Sequence, residues 1–494
     1  MAASDESTDL DDVAQVEAFE FSPRMSAADA LMWDIEKDPL LRSTITFVTL
    51  LDQVPDRDRF VRVMDRATRL VPRLRQRVVG HPYSIAPPRW EADTNFDLSY
   101  HLRFMRAPSP TSSESNDPAG SAVRQVLDIA EPIAMQGFDR ARPLWEMTLV
   151  DGLTGGKAAV IGKVHHAISD GVGGVNLQMS MLSLERDPVD QMNVSSPMPD
   201  APTPSALGET QRIIDATLFE ARKQMEGIVG TAAAAIDTLD RFRHDPVGVG
   251  VDAVRTGGSL IRLLSPATKP LSPLMTNRSL SVHFDTITVP VDTMKDAARI
   301  VSGKLNDSFV AAVAGGLRRY HVRHGHADTE LLRMTMPINV RTEGSAGRAG
   351  NQFVPARFPV PISIDDPVMR MNAIRTLVAH QRAEPALALS DPIANVLHRL
   401  PTTATTAVFG SMLKGIDFVT SNVPGPPFTV FLAGAEVEGQ IALGPLTGSA
   451  ANITLLSYRH DLNIGINVDP AAIPDPAVFT ECLRDSFDEI LKLA

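Results

Sequence analysis

Apolar positions recur along this chain at two spacings. TITFVTLL over 44–51 is β-branched and apolar and predicts a strand. Phe60, Val63, Met64, Ala67, Leu70 and Val71 follow at helical spacing, and Pro72 ends that helix. Upstream, Ser26 or Asp29 caps a short helix starting within 26–33, and the acidic, polar residues 1–20 read as a disordered tail. APSPTSSESNDPAGS at 107–121 predicts a solvated loop. Two strands, 145–150 and 158–164, are expected on either side of the turn DGLTGG.

The stretch 195–205 carries four prolines in eleven residues and is the clearest linker. Residues 210–265 read as mostly helical. A second block opens near Ser279, with a strand at 283–289, helices at 292–301 and 307–321, and late strands at 417–420, 452–458 and 462–468. Strands and helices alternate in both halves, which predicts an α/β fold of two domains meeting at an interface. The expected divisions are an acidic tail at 1–20, a first domain at 21–194, a helical connection at 195–278 and a second domain at 279–494.

Composition narrows the function. At 494 residues the chain exceeds what one core usually supports. Its formal charge of −12, from 47 basic and 59 acidic residues, argues against nucleic acid as a partner. Cys482 is the single cysteine, so an internal disulfide is impossible and a reducing cytoplasm is the expected compartment. No signal peptide is visible at the N-terminus, and no apolar run approaches membrane-spanning length. Any membrane contact is expected from the side. Val251, Val254, Leu260, Ile261, Leu263 and Leu264 beside Arg255 and Arg262 fit an interfacial helix, or equally one packed on its own domain, since Gly257 and Gly258 interrupt it.

Of the twelve histidines, His165 and His166 alone are adjacent, within KVHHAISDGVGG. Side chains alternate along a strand, so His166 shares a face with Val160, Gly162 and Val164, while His165 points the other way. Asp170 follows across a turn that Gly171, Gly173 and Gly174 keep close-packed. A neutral imidazole can accept the proton of an alcohol at neutral pH, and such a base contributes about 10²- to 10⁴-fold. Gly-x-Ser-x-Gly does not occur, so no serine nucleophile elbow competes with this reading. A metal site is the alternative, but no third ligand stands nearby at zinc spacing. His81, His101, His244, His380 and His398 read as core or surface residues.

At this motif the chain resembles the bacterial wax ester synthase/diacylglycerol acyltransferase family. The likeness extends through VPRLRQRV at 71–78, PRW at 88–90, NFDLSYH at 95–101 and RPLWE at 142–146. It continues through LND at 305–307, PINVR at 337–341, GNQ at 350–352, SNVPGP at 421–426 and NITLLSY at 452–458, covering roughly 21–490. The resemblance implies a fold like chloramphenicol acetyltransferase, two related domains with a tunnel between them and the motif histidine at its middle. By position it makes His166 the base, with His165 supporting the loop. It also makes Asp170 a structural carboxylate paired with an arginine, for which Arg341 is the candidate, and places Asn306 and Asp307 near the site. Asn and Asp are equally favoured as helix caps there. Ser421 and Asn422 precede a turn signal and are candidate substrate contacts.

The activity implied is transfer of a long-chain acyl group from CoA to diacylglycerol or a long-chain alcohol, with acyl-CoA as co-substrate and no permanently bound cofactor or metal. Arg73, Arg75 and Arg77 are candidates for the CoA phosphates, though charged runs are usually solvated faces. Departures at 444–452 (GPLTGSAAN) and the polar Asn463 and Asn467 bear on the acceptor pocket. A sterol, a polyketide alcohol or an amine acceptor keeps the same chemistry. A lipid-binding or lipid-droplet protein with weak turnover is the reading from another class.

Overall fold

In the computed structural model the described residues are 20–80, 86–108, 118–168, 177–188, 198–201, 206–225, 269–339, 348–349, 353–382, 406, 410 and 413–494. In chain order the strands are β1 (Glu20–Phe21), β2 (Thr44–Leu51), β3 (Gln76–Val79), β4 (Arg89–Ala92), β5 (Leu102–Arg106), β6 (Trp145–Asp151), β7 (Ala158–His165) and β8 (His283–Pro290). They continue with β9 (Leu331–Asn339), β10 (Arg348–Ala349), β11 (Phe353–Pro361), β12 (Phe418–Val423), β13 (Phe431–Leu432), β14 (Ala435–Leu443), β15 (Ala451–Tyr458) and β16 (Asp461–Val468). The helices are α1 (Ala27–Ile35), α2 (Arg57–Leu70), α3 (Leu98–His101), α4 (Pro118–Met135), α5 (209–225), α6 (Val291–Arg299), α7 (Leu305–Arg323), α8 (Pro367–Arg382) and α9 (Pro476–Leu491).

Two six-stranded mixed sheets organise the molecule. The first runs β13-β14-β2-β7-β6-β5 and the second β11-β9-β12-β15-β16-β8. In the first, β2, β6 and β7 pair antiparallel and β5 joins β6 in parallel. In the second, β12 lies parallel to both β9 and β15.

Several elements form where the spacing predicts. β2 spans 44–51, and Ser26 caps α1 by accepting from Asp29 N. In the turn after β6, Gly152, Gly155 and Gly156 all have φ between 73° and 81°, which side-chain-bearing residues rarely adopt. The predicted loop at 107–121 is too long, because α4 already begins at Pro118.

The expected second domain at 279–494 is also crossed by the chain. β13 and β14 leave it and join the first sheet, where β14 pairs antiparallel with β2. The physical reason lies in the two sheets' contact. Asn452 Nδ2 and Asn467 Nδ2 of β15 and β16 donate to Pro445 O and Gly444 O, each at 2.8 Å, and so hold the end of β14 over the second sheet. Gly465 sits beneath it, where an added Cβ would come within 2.0 Å of Ala442 O. Asn467 is therefore a structural tie, and Asn463 accepts from Thr288 Oγ1 at 3.0 Å inside its own sheet.

Each sheet has two distinct faces. On the first, Val48, Ala159 and Ile161 pack with Ala122, Val126, Leu127 and Ala130 of α4. On its other face Leu51, Val160 and Val164 share a core with Phe60, Val63, Met64 and Ala67 of α2. On the second sheet Ile453, Leu455, Ile464 and Ile466 pack with Phe309 and Val313 of α7 and with Leu483 and Phe487 of α9. Its opposite face carries Thr335, Ser421, Asn452, Thr454, Gly465 and Asn467, and that small, polar face is the one turned to β14.

Candidate active site

The two adjacent histidines stand at the C-terminal end of β7, a strand buried along its whole length between β2 and β6. The ladder runs one step past the strand, where His166 N donates to Ser43 O at 2.8 Å, and Ile168 N then closes a turn onto His165 O at 2.9 Å. The rings meet different surroundings. His165 is 1% exposed, whereas His166 is half-buried.

His165 is locked from both ends. Its Nδ1 accepts from Ala167 N at 3.0 Å, which leaves Nε2 as the protonated nitrogen, and Nε2 donates to Glu36 Oε1 at 2.9 Å. Glu36 also accepts from Ser43 N at 2.6 Å, and its Oε2 lies 3.2 Å from Arg140 Nη2. Burial alone would raise the Glu36 carboxyl. The hydrogen bonds from His165 and Ser43 and the charge of Arg140 outweigh it, so the carboxyl sits below the ordinary glutamate range. Trp33 meets the His165 ring edge-on at 5.5 Å, and Arg140 caps Trp33 at 3.9 Å.

A buried lysine stands on the same side of the sheet as His165. Lys163 is fully buried, with Nζ 3.9 Å from Glu146 Oε1 and 4.5 Å from the Phe138 ring centre. Burial pulls its pKa down against the opposing charge of Glu146. Neither Glu36 nor Lys163 was legible as a site-supporting group. Lys163 has one sequence signal, a lone cation inside an otherwise apolar strand.

Asp307 lies at the first turn of α7 and accepts from Lys304 N at 2.7 Å, so the chain caps its helix with this carboxylate. Asn306, expected as cap or contact, is half-buried with Nδ2 3.7 Å from Met336 Sδ on β9. Ser421 and Asn422 close β12, the neighbour of β9, so Asn306 and Ser421 belong to one end of the second sheet, at the C-terminal ends of its parallel strands. Ser421 is half-buried beside Thr454, and Asn422 is exposed. Asp170, Gly171 and Arg341 lie outside the described residues, as do residues 251–264.

Two of the arginines expected to meet CoA phosphates are engaged elsewhere. Arg73 is 5% exposed, stacks on Trp90 at 4.3 Å and donates to Ser22 O, while Arg75 pairs with Asp65 at 2.6 Å. His101 is a core residue, stacked between Phe96 and Trp145.

A cavity of about 70 Å³ opens between α4, β2 and the 444–447 turn, lined by Arg42, Thr44, Thr46, Met135, Phe284 and Asn467. Thr46 alternates with Val48 onto the α4 face, away from the Val160–Val164 face that His166 continues. The cavity therefore does not belong to the His166 side of the sheet. Among the described residues no three His, Cys, Asp or Glu side chains group as metal ligands.

Comparison with known proteins places this architecture. Residues 25–309 match the wax ester synthase/diacylglycerol acyltransferase catalytic domain, and residues 349–491 match the C-terminal domain of the same enzymes. This chain belongs to the wax ester synthase/diacylglycerol acyltransferase family. It is an acyltransferase.

A putative diacylglycerol O-acyltransferase of Mycobacterium tuberculosis (strain ATCC 25618 / H37Rv) is 36% identical over 477 residues, covering 96% of this chain and 93% of the relative. Another from the same strain is 25% identical over 484 residues, covering 95% and 97%. The wax ester synthase/diacylglycerol acyltransferase of Marinobacter aquaeolei VT8 superposes with a TM-score of 0.58 at 21% identity, over 94% of this chain and 98% of that one. The starter condensation domain of rhizomide synthetase shares the fold, with a TM-score of 0.53 at 14% identity over 95% and 94%.

Proposed function

We infer that this acyltransferase moves a long-chain acyl group from CoA to the hydroxyl of diacylglycerol or of a long-chain alcohol, with His166 as general base. The observation that carries this is the contrast within the histidine pair. His165 is buried and bonded at both ring nitrogens, whereas His166, on the other face of the strand end, is the half-buried and more accessible imidazole of the pair.

In the reaction a ring nitrogen of His166 takes the proton of the acceptor O–H as that oxygen attacks the thioester carbonyl carbon. The tetrahedral intermediate collapses, the C–S bond breaks, and the leaving thiolate receives the proton back from the imidazolium. The products are an ester and free CoA, and no covalent enzyme intermediate forms.

The polar, small-residue face of the second sheet, which carries Ser421, supports a passage between the sheets, with Ser421 a candidate donor toward the oxyanion or acceptor. Asn306, at the same end of the sheet but against Met336 on its other face, is the second candidate donor. Asp170 and Gly171, with Arg341 as the expected ion-pair partner, complete the loop in this reading. Acyl-CoA is a co-substrate, and peripheral contact from the cytoplasm with a membrane or lipid droplet suits acceptors of this kind.

The test is transfer from labelled palmitoyl-CoA to dioleoylglycerol and to hexadecanol by purified protein. Ester from at least one acceptor, lost in His166→Ala, is the expected result. Absence of ester from both, or full activity in His166→Ala, overturns the assignment.

A further inference from the structure

Helix α5 is amphipathic with its polarity reversed. The side that meets the body of the protein is held by charge. Arg212 makes a two-pronged contact with Glu91, itself 2% exposed, at 2.9 and 2.7 Å. Asp215 joins both Arg24 and Arg89, and Arg24 also lies over the Phe219 ring at 5.0 Å. The outward side is apolar. Ile213, Ile214, Leu218 and Met225 are 52%, 54%, 64% and 68% exposed, whereas every other described helix or strand exposes at most one large apolar side chain.

These residues form one stripe. Ile214, Leu218, Ala221 and Met225 recur every three or four positions, spanning roughly 17 Å along the axis at 1.5 Å per residue. The remaining exposed positions of α5 are Thr210, Gln211, Thr217 and Gln224 with two charges, Glu209 at the first residue of the helix and Arg222 one turn after Leu218, although the chain carries −12 overall. No described helix is long and apolar enough to cross a membrane.

We propose that α5 is the lipid-docking surface of this enzyme, lying flat on an anionic phospholipid interface with Ile213, Ile214, Leu218 and Met225 among the acyl chains. This builds on the lipid-acceptor reading above. The charge pattern selects the occupant. The charge beside the Ile214–Met225 stripe is the cation Arg222, while the exposed Glu209 stands at the opposite end of the helix, so the stripe suits a negatively charged lipid surface. The ion pairs on the inner side hold it outward without consuming apolar surface. The docked helix would bring the enzyme to the pool that holds its water-insoluble acceptor.

The experiment is co-flotation of the full chain with phosphatidylcholine/phosphatidylglycerol vesicles containing dioleoylglycerol, alongside acyl transfer to that vesicle-borne acceptor and to soluble 1-hexanol. Wild type is expected to float. Ile214→Glu/Leu218→Glu should bind at least ten-fold less and lose transfer to the vesicle-borne acceptor while keeping transfer to hexanol. Leu218→Cys gives an independent measurement, because the native Cys482 is buried and a polarity-sensitive dye will label position 218 selectively. Its emission should shift to the blue on adding vesicles. Unchanged flotation in the double variant, or no dye shift, overturns the proposal. So does a wild-type dimer that fails to float and that the double variant converts to monomer, which would assign the stripe to a second copy. Flotation without transfer to either acceptor would leave docking standing and remove the proposed activity.

Discussion

Glu36 Oε1 lies 2.9 Å from His165 Nε2, and this contact ties the end of α1 to the end of β7. The same oxygen accepts from Ser43 N, the residue whose carbonyl takes the His166 amide. One carboxylate thus fixes the end of β7 that carries the motif and the chain entering β2 beside it. Glu36→Ala leaves His165 and the Ser43 amide without their acceptor, at an expected cost of about 2–4 kcal/mol. Glu36→Gln keeps an acceptor oxygen and should cost less. Thermal unfolding measures the stability, and a lower kcat at unchanged KM in the Gln variant identifies Glu36 as a positioning residue acting through the backbone of His166. Equal stability in Ala and wild type would remove the role.

His166→Ala separates chemistry from structure. Its ring is half-buried, so truncation should leave Tm within a few degrees of wild type while kcat falls about 10²- to 10⁴-fold. His165→Ala reverses the balance, with a clear loss of Tm, because its ring is buried between Trp33, Phe138 and Glu36. Two variants differing by one position should therefore fail in different assays.

Asp307 and Asn306 are told apart in the same manner. Asp307 accepts from Lys304 N at the start of α7, so Asp307→Ala should cost about 0.5–2 kcal/mol with KM and kcat preserved in the folded fraction. Asn306→Ala, which removes an amide that donates to the Met336 thioether at 3.7 Å, should leave Tm unchanged and lower kcat. Loss of activity in Asp307→Ala at full stability would exchange the two assignments.

The sequence carried different parts of this fold unequally. α2 was legible because it presents one clean helical period, β2 and β7 because they are apolar runs of strand length next to turns, and the histidine pair because strand alternation forces its rings apart. β14 was not, since Gly439 and a register shift between Val437 and Gly439 break its alternation. Its transfer to the first sheet depends on Asn452 and Asn467, whose meaning is visible only when Gly444 and Pro445 lie against them. Glu36 was equally silent. A carboxylate one residue beyond a short helix reads as a solvated end until a strand more than a hundred residues later brings His165 to it. Asp307 read as a contact through family likeness and as a cap through chemistry, and the geometry favours the cap.

The closeness of Gly465 to β14 gives a direct test of how the halves are joined. A Cβ at this position would lie 2.0 Å from Ala442 O, a backbone atom that cannot swing aside. Gly465→Ala should force the sheets apart locally, at about 1–3 kcal/mol or more, and lower Tm. Gly439→Ala, whose added Cβ meets only Leu50 Cδ1 at 3.5 Å, is the control and should be nearly neutral. If the two variants unfold alike, β14 does not press on β16 as described.

The second clasp between the halves is electrostatic and should respond to acid. Glu131 on α4 meets His283 Nδ1 at 3.1 Å and Arg124 at 3.1 Å, and accepts from Phe284 N at 2.9 Å, so it joins the first half to β8. Burial raises this carboxyl, but the hydrogen bonds from His283 and Phe284 and the charges of His283 and Arg124 win and hold it below the ordinary glutamate value. A carboxylate with a depressed folded pKa stabilises the fold above its unfolded value. As pH falls from there, the unfolded chain takes up the proton first, so stability is lost progressively until the folded carboxyl titrates too. Tm should therefore fall between about pH 5 and the depressed folded value, the window set by an ordinary glutamate near 4.3. Glu131→Gln cannot titrate, so it should start from a lower Tm at neutral pH and lose less of it across that window. Parallel acid limbs in the two proteins would show that the clasp contributes nothing to holding α4 against β8.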